Sequence, residues 1–158
     1  AVQQRIEDFR AGGIDTEVWF VALGAETDCH AGMEEFIEAH RPDLRGAIVV
    51  ELDSLGAGAL CTVAREGILK PVAASSRMKR YAKHASQVSG VPVDTTSILW
   101  QESAASTALR NGLQAMHLVG TDGTKPALYA QANDVADNID SEILAENANF
   151  VVEVVKGI

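Results

Sequence analysis

Six consecutive apolar residues run from Val18 to Leu23, and Gly24 and Ala25 stop the run at once. Its β-branched and aromatic side chains are typical of a central strand that is covered on both faces. In open α/β sheets, ligands bind beyond the carboxyl ends of the strands, where helix N-termini and turning backbone expose N–H groups. We therefore expect the polar residues 26–30 at such an edge, together with any chemistry that the chain performs.

A second strand pattern, Ala47 to Leu52, ends at Asp53 and is followed by a glycine-rich turn. A short amphipathic helix separates it from the first run, so that the two strands and the helix form one βαβ unit. Crossovers between parallel strands are almost always right-handed, and both strands then end at the same edge of the sheet. This arrangement predicts that Glu26 and Asp53 share that edge.

The rest of the chain continues to alternate helix and strand patterns, without an internal repeat or a low-complexity linker. The predicted elements are a helix over 2–13, strands Leu60–Ala64 and Ile68–Val72 in a hairpin, a helix from Ser75 or Ser76 to Val88, strand Thr95–Trp100, helix Ser103–Asn111, strand Leu113–Val119, a polar loop Tyr129–Asn138 and a last helix from Asp140 or Ser141. The order predicts a single α/β domain over 1–158. Its expected architecture is a three-layer α/β/α sandwich with a mostly parallel central sheet.

The charge of the chain limits its partners. A net charge of −9 and a pI near 4.8 argue against binding to nucleic acid, which depends on Lys and Arg neutralising phosphates. No apolar run approaches the roughly 18 to 20 residues that span a bilayer. The two cysteines, Cys29 and Cys61, can form at most one disulfide and do not identify a redox compartment.

Positive charge is concentrated on one predicted helix, which carries Arg77, Lys79, Arg80 and Lys83. Its apolar residues recur at helical spacing on the opposite face. An amphipathic helix needs a charged outer face in any case, so a solvated face is the simpler interpretation and a binding surface for a partner is the alternative.

Motifs along the chain, in the same order as in the family, resemble the zinc-dependent aminopeptidase family. The segments VWFVALGAETDCHAG and IVVELDSLGAG are similar to its central strands, of which one ends in Gly-Ala-Glu-Glu and the next in Leu-Asp. Ser103–Ala108, Tyr129-Ala130 and Asp134–Asp140 resemble its Ser-Asp-His-x-x-Phe segment, its Tyr-His loop and the start of its last helix. The likeness covers nearly the whole chain. It implies the di-zinc exopeptidase fold, with the N-terminal part of that fold expected before the first residue, and it favours an extracytoplasmic setting.

The resemblance also implies roles for particular residues. In the family, two zinc ions are held by a His, a bridging Asp, a Glu, an Asp and a final His, with a further Glu as general base and a Tyr that helps to stabilise the oxyanion. Glu26 matches the general base, Asp53 the terminal Asp ligand and Tyr129 the tyrosine. Thr27 and Ala130 replace the ligand Glu and the final His. The first His and the bridging Asp are expected in the segment that precedes this chain.

Three functions are compatible with these residues. The first is a non-catalytic domain with a degraded zinc site, which binds or assembles with an unidentified protein or peptide and needs no cofactor. The second is an active zinc-dependent aminopeptidase whose missing ligands lie outside this chain. The third is a module that binds an amino acid or the N-terminus of a peptide, with Glu26 or Asp53 pairing to the amine. Self-association is a further expectation, because an uncovered apolar strand edge pairs readily with another chain.

Other chemistries at the first strand end have weaker support. Asp28, Cys29 and His30 are chemically suitable zinc ligands, but three neighbouring side chains in a turn point in different directions. Cys29 beside His30 could act as a nucleophile, but no third residue that would orient the pair is identifiable. His117 lies inside a strand pattern and is expected to be a core or sheet-face histidine.

Overall fold

The computed structural model describes residues 16–26, 28, 30–123 and 125–158. In chain order, the elements of this part are α1 (Ala31–His40), β1 (Ile48–Asp53), β2 (Ala59–Glu66), β3 (Val72–Ala73), α2 (Ser76–Ser89), β4 (Asp94–Ile98), α3 (Ala104–Arg110), β5 (Gln114–Thr121), a 3₁₀ turn (Ala136–Asn138) and α4 (Ser141–Gly157). The helix predicted over 2–13 lies outside the described residues. The alternation of helices and strands confirms the α/β class.

The strand β5 lies inside the sheet, between β1 and β2. It runs parallel to β1 and antiparallel to β2, while β2 pairs in parallel with β4 and antiparallel with the two-residue β3. The sheet is therefore mixed, whereas we expected it to be mostly parallel. The cause is the short 54–58 connection, because a parallel return needs a crossover of a dozen or more residues.

Helices cover both faces of the sheet. On β5, Met116 and Leu118 point towards α2 and α4 and pack in one apolar cluster with Phe150. Ala115 points to the opposite face and packs with α1 and α3 in a second cluster. Alternation along a strand sends successive side chains to opposite faces, so one strand supplies both cores. This arrangement confirms the three-layer α/β/α sandwich.

The prediction that Val18 to Leu23 is a central strand is wrong. The segment has no hydrogen-bonded strand partner among the described residues, and Trp19, Phe20 and Val21 are 45%, 47% and 45% exposed. The Trp19 ring packs edge-on against Phe36 of α1. Such side chains favour a strand, but a strand also needs a neighbouring strand with which to pair. Within the described chain, β1 pairs only with β5 and not with this segment. The apolar run is consequently left half-exposed.

Three further strand predictions need correction. The predicted hairpin is asymmetric: β2 extends to Glu66, but β3 begins only at Val72, because Gly67 turns the chain away with a φ of +113°. The strand predicted over Thr95–Trp100 is β4, which ends at Ile98. Ala47–Leu52 corresponds to β1, but as an edge strand it is half-buried rather than buried, with Leu52 41% exposed.

The predicted helix starts agree with the structure. The side chains of Ser75, Ser103 and Asp140 accept hydrogen bonds from the first-turn N–H groups of α2, α3 and α4, respectively. Such caps satisfy backbone donors that have no partner inside the helix. Across the described ranges, we find no helix with the length and apolar character that a bilayer crossing requires.

Candidate functional site

A buried charged cluster occupies the sheet face beneath α3. Glu51 of β1 lies opposite His117 of β5 in the parallel register. His117 Nδ1 is 3.0 Å from Glu66 Oε2 and 3.9 Å from Glu51 Oε2, while His117 Nε2 is 3.9 Å from Asp53 Oδ2. One imidazole is thus surrounded by three carboxylates that come from β1 and β2.

The same carboxylates hold the N-terminus of α3. The Ser103 hydroxyl donates a hydrogen bond to Glu66 Oε2 at 2.6 Å. The N–H groups of Ala104 and Ala105 donate to the two carboxylate oxygens of Glu51 at 3.2 and 2.7 Å. Negative charge is favourable at a helix N-terminus because the helix dipole is positive there. The sheet therefore fixes the position of α3 through ion–dipole contacts as well as apolar packing.

The carboxylates change the acid–base behaviour of the histidine. Burial alone would lower the pKa of His117, but the hydrogen bond with Glu66 and the charges of Glu51, Glu66 and Asp53 together raise this pKa above its ordinary value of 6.5. Beside the Glu66 carboxylate, Nδ1 acts as the hydrogen-bond donor. His117 Nε2 is buried and has no hydrogen-bond partner among the described residues.

We expect this raised pKa to appear in the pH dependence of stability. Because the folded state holds the His117 proton more tightly than the unfolded state, the stabilisation is complete below about pH 6.5. It is lost as the pH rises through the raised folded-state pKa. Urea denaturation between pH 6 and 9 measures this loss as a falling free energy of unfolding. His117→Gln is expected to remove the decline, and the same substitution at the exposed His84 to preserve it; equal slopes in the parent chain and His117→Gln would contradict the assignment.

A loop formed by residues 99–103 connects the cluster to the predicted site residues. Its Trp100 ring packs against the Tyr129 ring with 5.1 Å between centroids. The carbonyl of Glu102 accepts a hydrogen bond from His30 Nε2 at 2.7 Å, which ties the turn after Glu26 to the same loop. The loop thus contacts the first predicted site segment, the tyrosine and, through Ser103, the buried cluster.

A second ionic contact anchors this loop. Burial alone would raise the pKa of Glu102, but hydrogen bonds from Arg110, the Ile68 N–H and Ser106, with the charge of Arg110, lower that pKa below its usual value. Arg110 Nη1 donates directly to Glu102 Oε2. The contacts link the loop to α3 and to the residue that follows the Gly67 turn.

The predicted site residues have different surroundings. Asp53 ends β1, its side chain is 39% exposed, and its Oδ1 accepts a hydrogen bond from Ser54 at 2.8 Å. Glu26 lies exposed in the turn, and Tyr129 is half-exposed beside Ala130. Thr27 and Cys29 lie outside the described residues. The zinc site and the nucleophile considered for Cys29 therefore stay predictions. The shared edge for Glu26 and Asp53 remains a prediction.

Glu66, Ser103 and Glu51 form a polar network that sequence reasoning missed, although it expected His117 on a sheet face. One available signal was the period-two alternation that places Glu51 and Asp53 on the same face of β1. Cys61, the other cysteine, is a buried free thiol 3.2 Å from the Thr121 hydroxyl.

The described side chains at this edge do not by themselves form a two-zinc site. A catalytic zinc takes three protein ligands and a water, and each structural or catalytic site needs Cys, His, Asp or Glu donors. Within residues 16–26, 28, 30–123 and 125–158, no three such side chains converge as a metal-binding group. Ala130 has no side-chain donor atom, and Glu51 and Glu66 already accept hydrogen bonds from α3, Ser103 and His117.

The fold is that of zinc aminopeptidases. The aminopeptidase from Aneurinibacillus sp. strain AM-1 superposes with a TM-score of 0.66 at 18% identity, covering 84% of this chain and 31% of that one. BSAP, a zinc aminopeptidase from Bacillus subtilis, gives 0.68 at 16% identity, covering 85% and 34%. The LapA aminopeptidase of Legionella pneumophila gives 0.62 at 12% identity, covering 85% and 37%. The chain spans about a third of the length of these three structures.

The family follows from the sequence itself. The model of peptidase family M28 matches residues 4–155, so the chain belongs to peptidase family M28. This match confirms the resemblance to zinc-dependent aminopeptidases. A search of curated proteins gives no significant match.

Proposed function

We propose that this domain is a non-catalytic member of peptidase family M28 that binds the free amino terminus of a peptide where β1 ends. The observation that carries the proposal is the state of Asp53. Its carboxylate is partly exposed and accepts one hydrogen bond from Ser54, and its Oδ2 lies 3.9 Å from His117 Nε2, beyond hydrogen-bond distance. A carboxylate with this spare acceptor capacity can form a charge-assisted hydrogen bond with an ammonium group.

The proposed absence of catalysis rests on the ligand chemistry. Ala130 and Thr27 stand where the family resemblance places a His and a Glu, and neither supplies an imidazole or a negative charge. Without bound zinc, Glu26 has no activated water to deprotonate. We therefore expect no zinc cofactor in this chain, and zinc only if ligands from another part of the protein complete the site.

An aromatic surface supports a peptide ligand. Trp100 of the 99–103 loop and Tyr129 pack against each other and remain 40% and 42% exposed. Paired aromatic rings offer apolar contact area at a low cost in conformational entropy. In this proposal, the first side chain of the peptide packs on these rings while its amine pairs with Asp53 or Glu26.

The test combines a binding and a hydrolysis assay on the purified chain. We expect the peptide Leu-Gly-Gly to bind in isothermal titration calorimetry and its N-acetylated form not to bind. Asp53→Asn is expected to weaken binding about tenfold or more, because a hydrogen bond to a charged group typically contributes about 1.5–3 kcal/mol. With added zinc, we expect no release of p-nitroaniline from leucine p-nitroanilide and no stoichiometric zinc after dialysis.

The control variant is Asp43→Asn, which removes the same charge from the end of α1, where Asp43 contacts His40. It is expected to leave peptide binding unchanged. Equal binding of the acetylated peptide would overturn the proposed recognition of the amine. Zinc-dependent hydrolysis that disappears in Asp53→Asn would instead support the alternative of an active zinc aminopeptidase.

A further inference from the structure

A cleft of about 450 Å³ lies between α2 and the sheet, on the face opposite the His117 cluster. Its apolar floor is formed by the buried residues Met78, Ala82 and Met116. Met116 and His117 are neighbours on β5 and point to opposite faces, so the cleft is separated from the Asp53 edge by the sheet. Small-molecule sites are typically apolar concavities of roughly 300–1,000 Å³.

The rim of the cleft is polar and positively charged. Lys79 and Lys83 line it from α2, one helical turn apart, while Thr62 and Thr95 line it from the sheet. In the part of the chain that the structure describes, neither lysine side chain has an ion-pair or hydrogen-bond partner. Arg77, by contrast, donates to the Tyr81 hydroxyl at 2.8 Å and lies over its ring.

This local charge differs in sign from the rest of the molecule. The helix α2, SRMKRYAKHASQVS, contains no acidic residue, although the chain has a net charge of −9. Two unpaired ammonium groups above an apolar floor form a complementary surface for a ligand with an anionic head and an apolar body. A solvated helix face accounts for the lysines, but it does not account for the cleft beneath them.

We propose that this cleft binds a small amphiphilic carboxylate, such as a medium-chain fatty acid. The carboxylate contacts the ammonium groups of Lys79 and Lys83, and the hydrocarbon chain lies along Met78, Ala82 and Met116. The inference is independent of the proposed peptide binding, because none of these residues belongs to the Asp53 edge. The apolar floor favours a ligand with a hydrocarbon body over an acidic peptide, whose backbone and side chains are largely polar.

The test is a titration of the ¹⁵N-labelled chain with sodium decanoate below its critical micelle concentration, followed by NMR. We expect saturable shifts confined to cleft residues such as Thr62, Thr95 and Met116. Lys79→Gln/Lys83→Gln is expected to raise the dissociation constant about tenfold, the size expected when two partly exposed charge contacts are lost. Arg41→Gln/Lys70→Gln removes the same total charge from exposed positions elsewhere and is expected to change nothing.

Three other ligands test whether the cleft selects a small amphiphilic carboxylate over a cation, an acidic peptide or a membrane surface. Decylammonium has the same chain and the opposite charge, and we expect no shifts in the cleft. Hexaglutamate and vesicles containing anionic phospholipid are also expected to leave the cleft resonances unchanged. Binding of either one without binding of decanoate would overturn the proposal in favour of an acidic peptide or a membrane surface. Decanoate shifts scattered over the surface, or unaltered by the lysine substitutions, would also overturn it.

Discussion

Replacing Glu66 by leucine is expected to lower the free energy of unfolding by about 3–5 kcal/mol, the usual effect of removing one partner from a buried ion pair. Glu66 is 3% exposed and accepts hydrogen bonds from both Ser103 and His117. Leucine fills a similar volume but leaves the hydroxyl and the imidazole N–H buried without an acceptor. Urea denaturation at pH 6, where His117 carries its proton, measures the effect.

Two variants separate this effect from a general change in packing. Glu35→Leu makes the same replacement at an exposed position of α1 and is expected to change stability by less than about 0.5 kcal/mol. The double variant Glu66→Leu/His117→Leu removes both partners, and its loss is expected to be smaller than the sum of the two single losses. A loss below about 1 kcal/mol for Glu66→Leu would show that the cluster contributes little to stability.

Gly120→Ala is expected to lower the free energy of unfolding by about 3 kcal/mol, at the upper end of the usual cost of overpacking. A Cβ at Gly120 would overlap the carbonyl oxygens of Ala57 and Ser54. Both are backbone atoms, so no flexible side chain can move aside to make room. The 54–58 turn would have to shift, and this turn directly follows Asp53. We expect lowered stability in urea denaturation and altered NMR shifts at Asp53.

Gly24→Ala is the matched control for this substitution. A Cβ at Gly24 meets no atom within 4 Å, and its φ is not in the left-handed region. Alanine at such a position has a small effect, which can be stabilising because the unfolded chain loses conformational freedom. Equal losses for Gly120→Ala and Gly24→Ala would contradict the role of the Ala57 and Ser54 carbonyls.

The sequence was most informative where the structural signal is local. The cap at Asp140 and the apolar spacing after it predict α4, and a strand pattern ending in Asp53 predicts β1. Both depend on neighbours within a few residues. The failure at Val18–Leu23 has the opposite origin: side-chain preference was correct for a strand, but the pairing partner is a property of the whole sheet.

The same distinction between local and long-range signals applies to the residues of the site. Asp53 could be identified because it ends a strand, and Tyr129 because a motif surrounds it. The cluster of Glu66, Ser103 and His117 could not, because its members are 37 and 51 positions apart along the chain and meet only through tertiary structure. A buried glutamate also contradicts the general expectation that charged residues are exposed. Only the folded structure brings the imidazole to the position where it balances this charge.

The position of β5 has a consequence for how the protein is made. Both neighbours of β5 in the sheet, β1 and β2, precede it by a long stretch of chain, so they leave the ribosome before the strand that joins them exists. Strands without partners expose unpaired N–H and C=O groups, and such segments are prone to aggregation. Until Gln114–Thr121 is synthesised, β1 has no partner among the described strands and β2 can pair only with β3 and β4. We therefore expect the nascent chain to rely on chaperones for longer than a domain whose strands pair in the order of their synthesis.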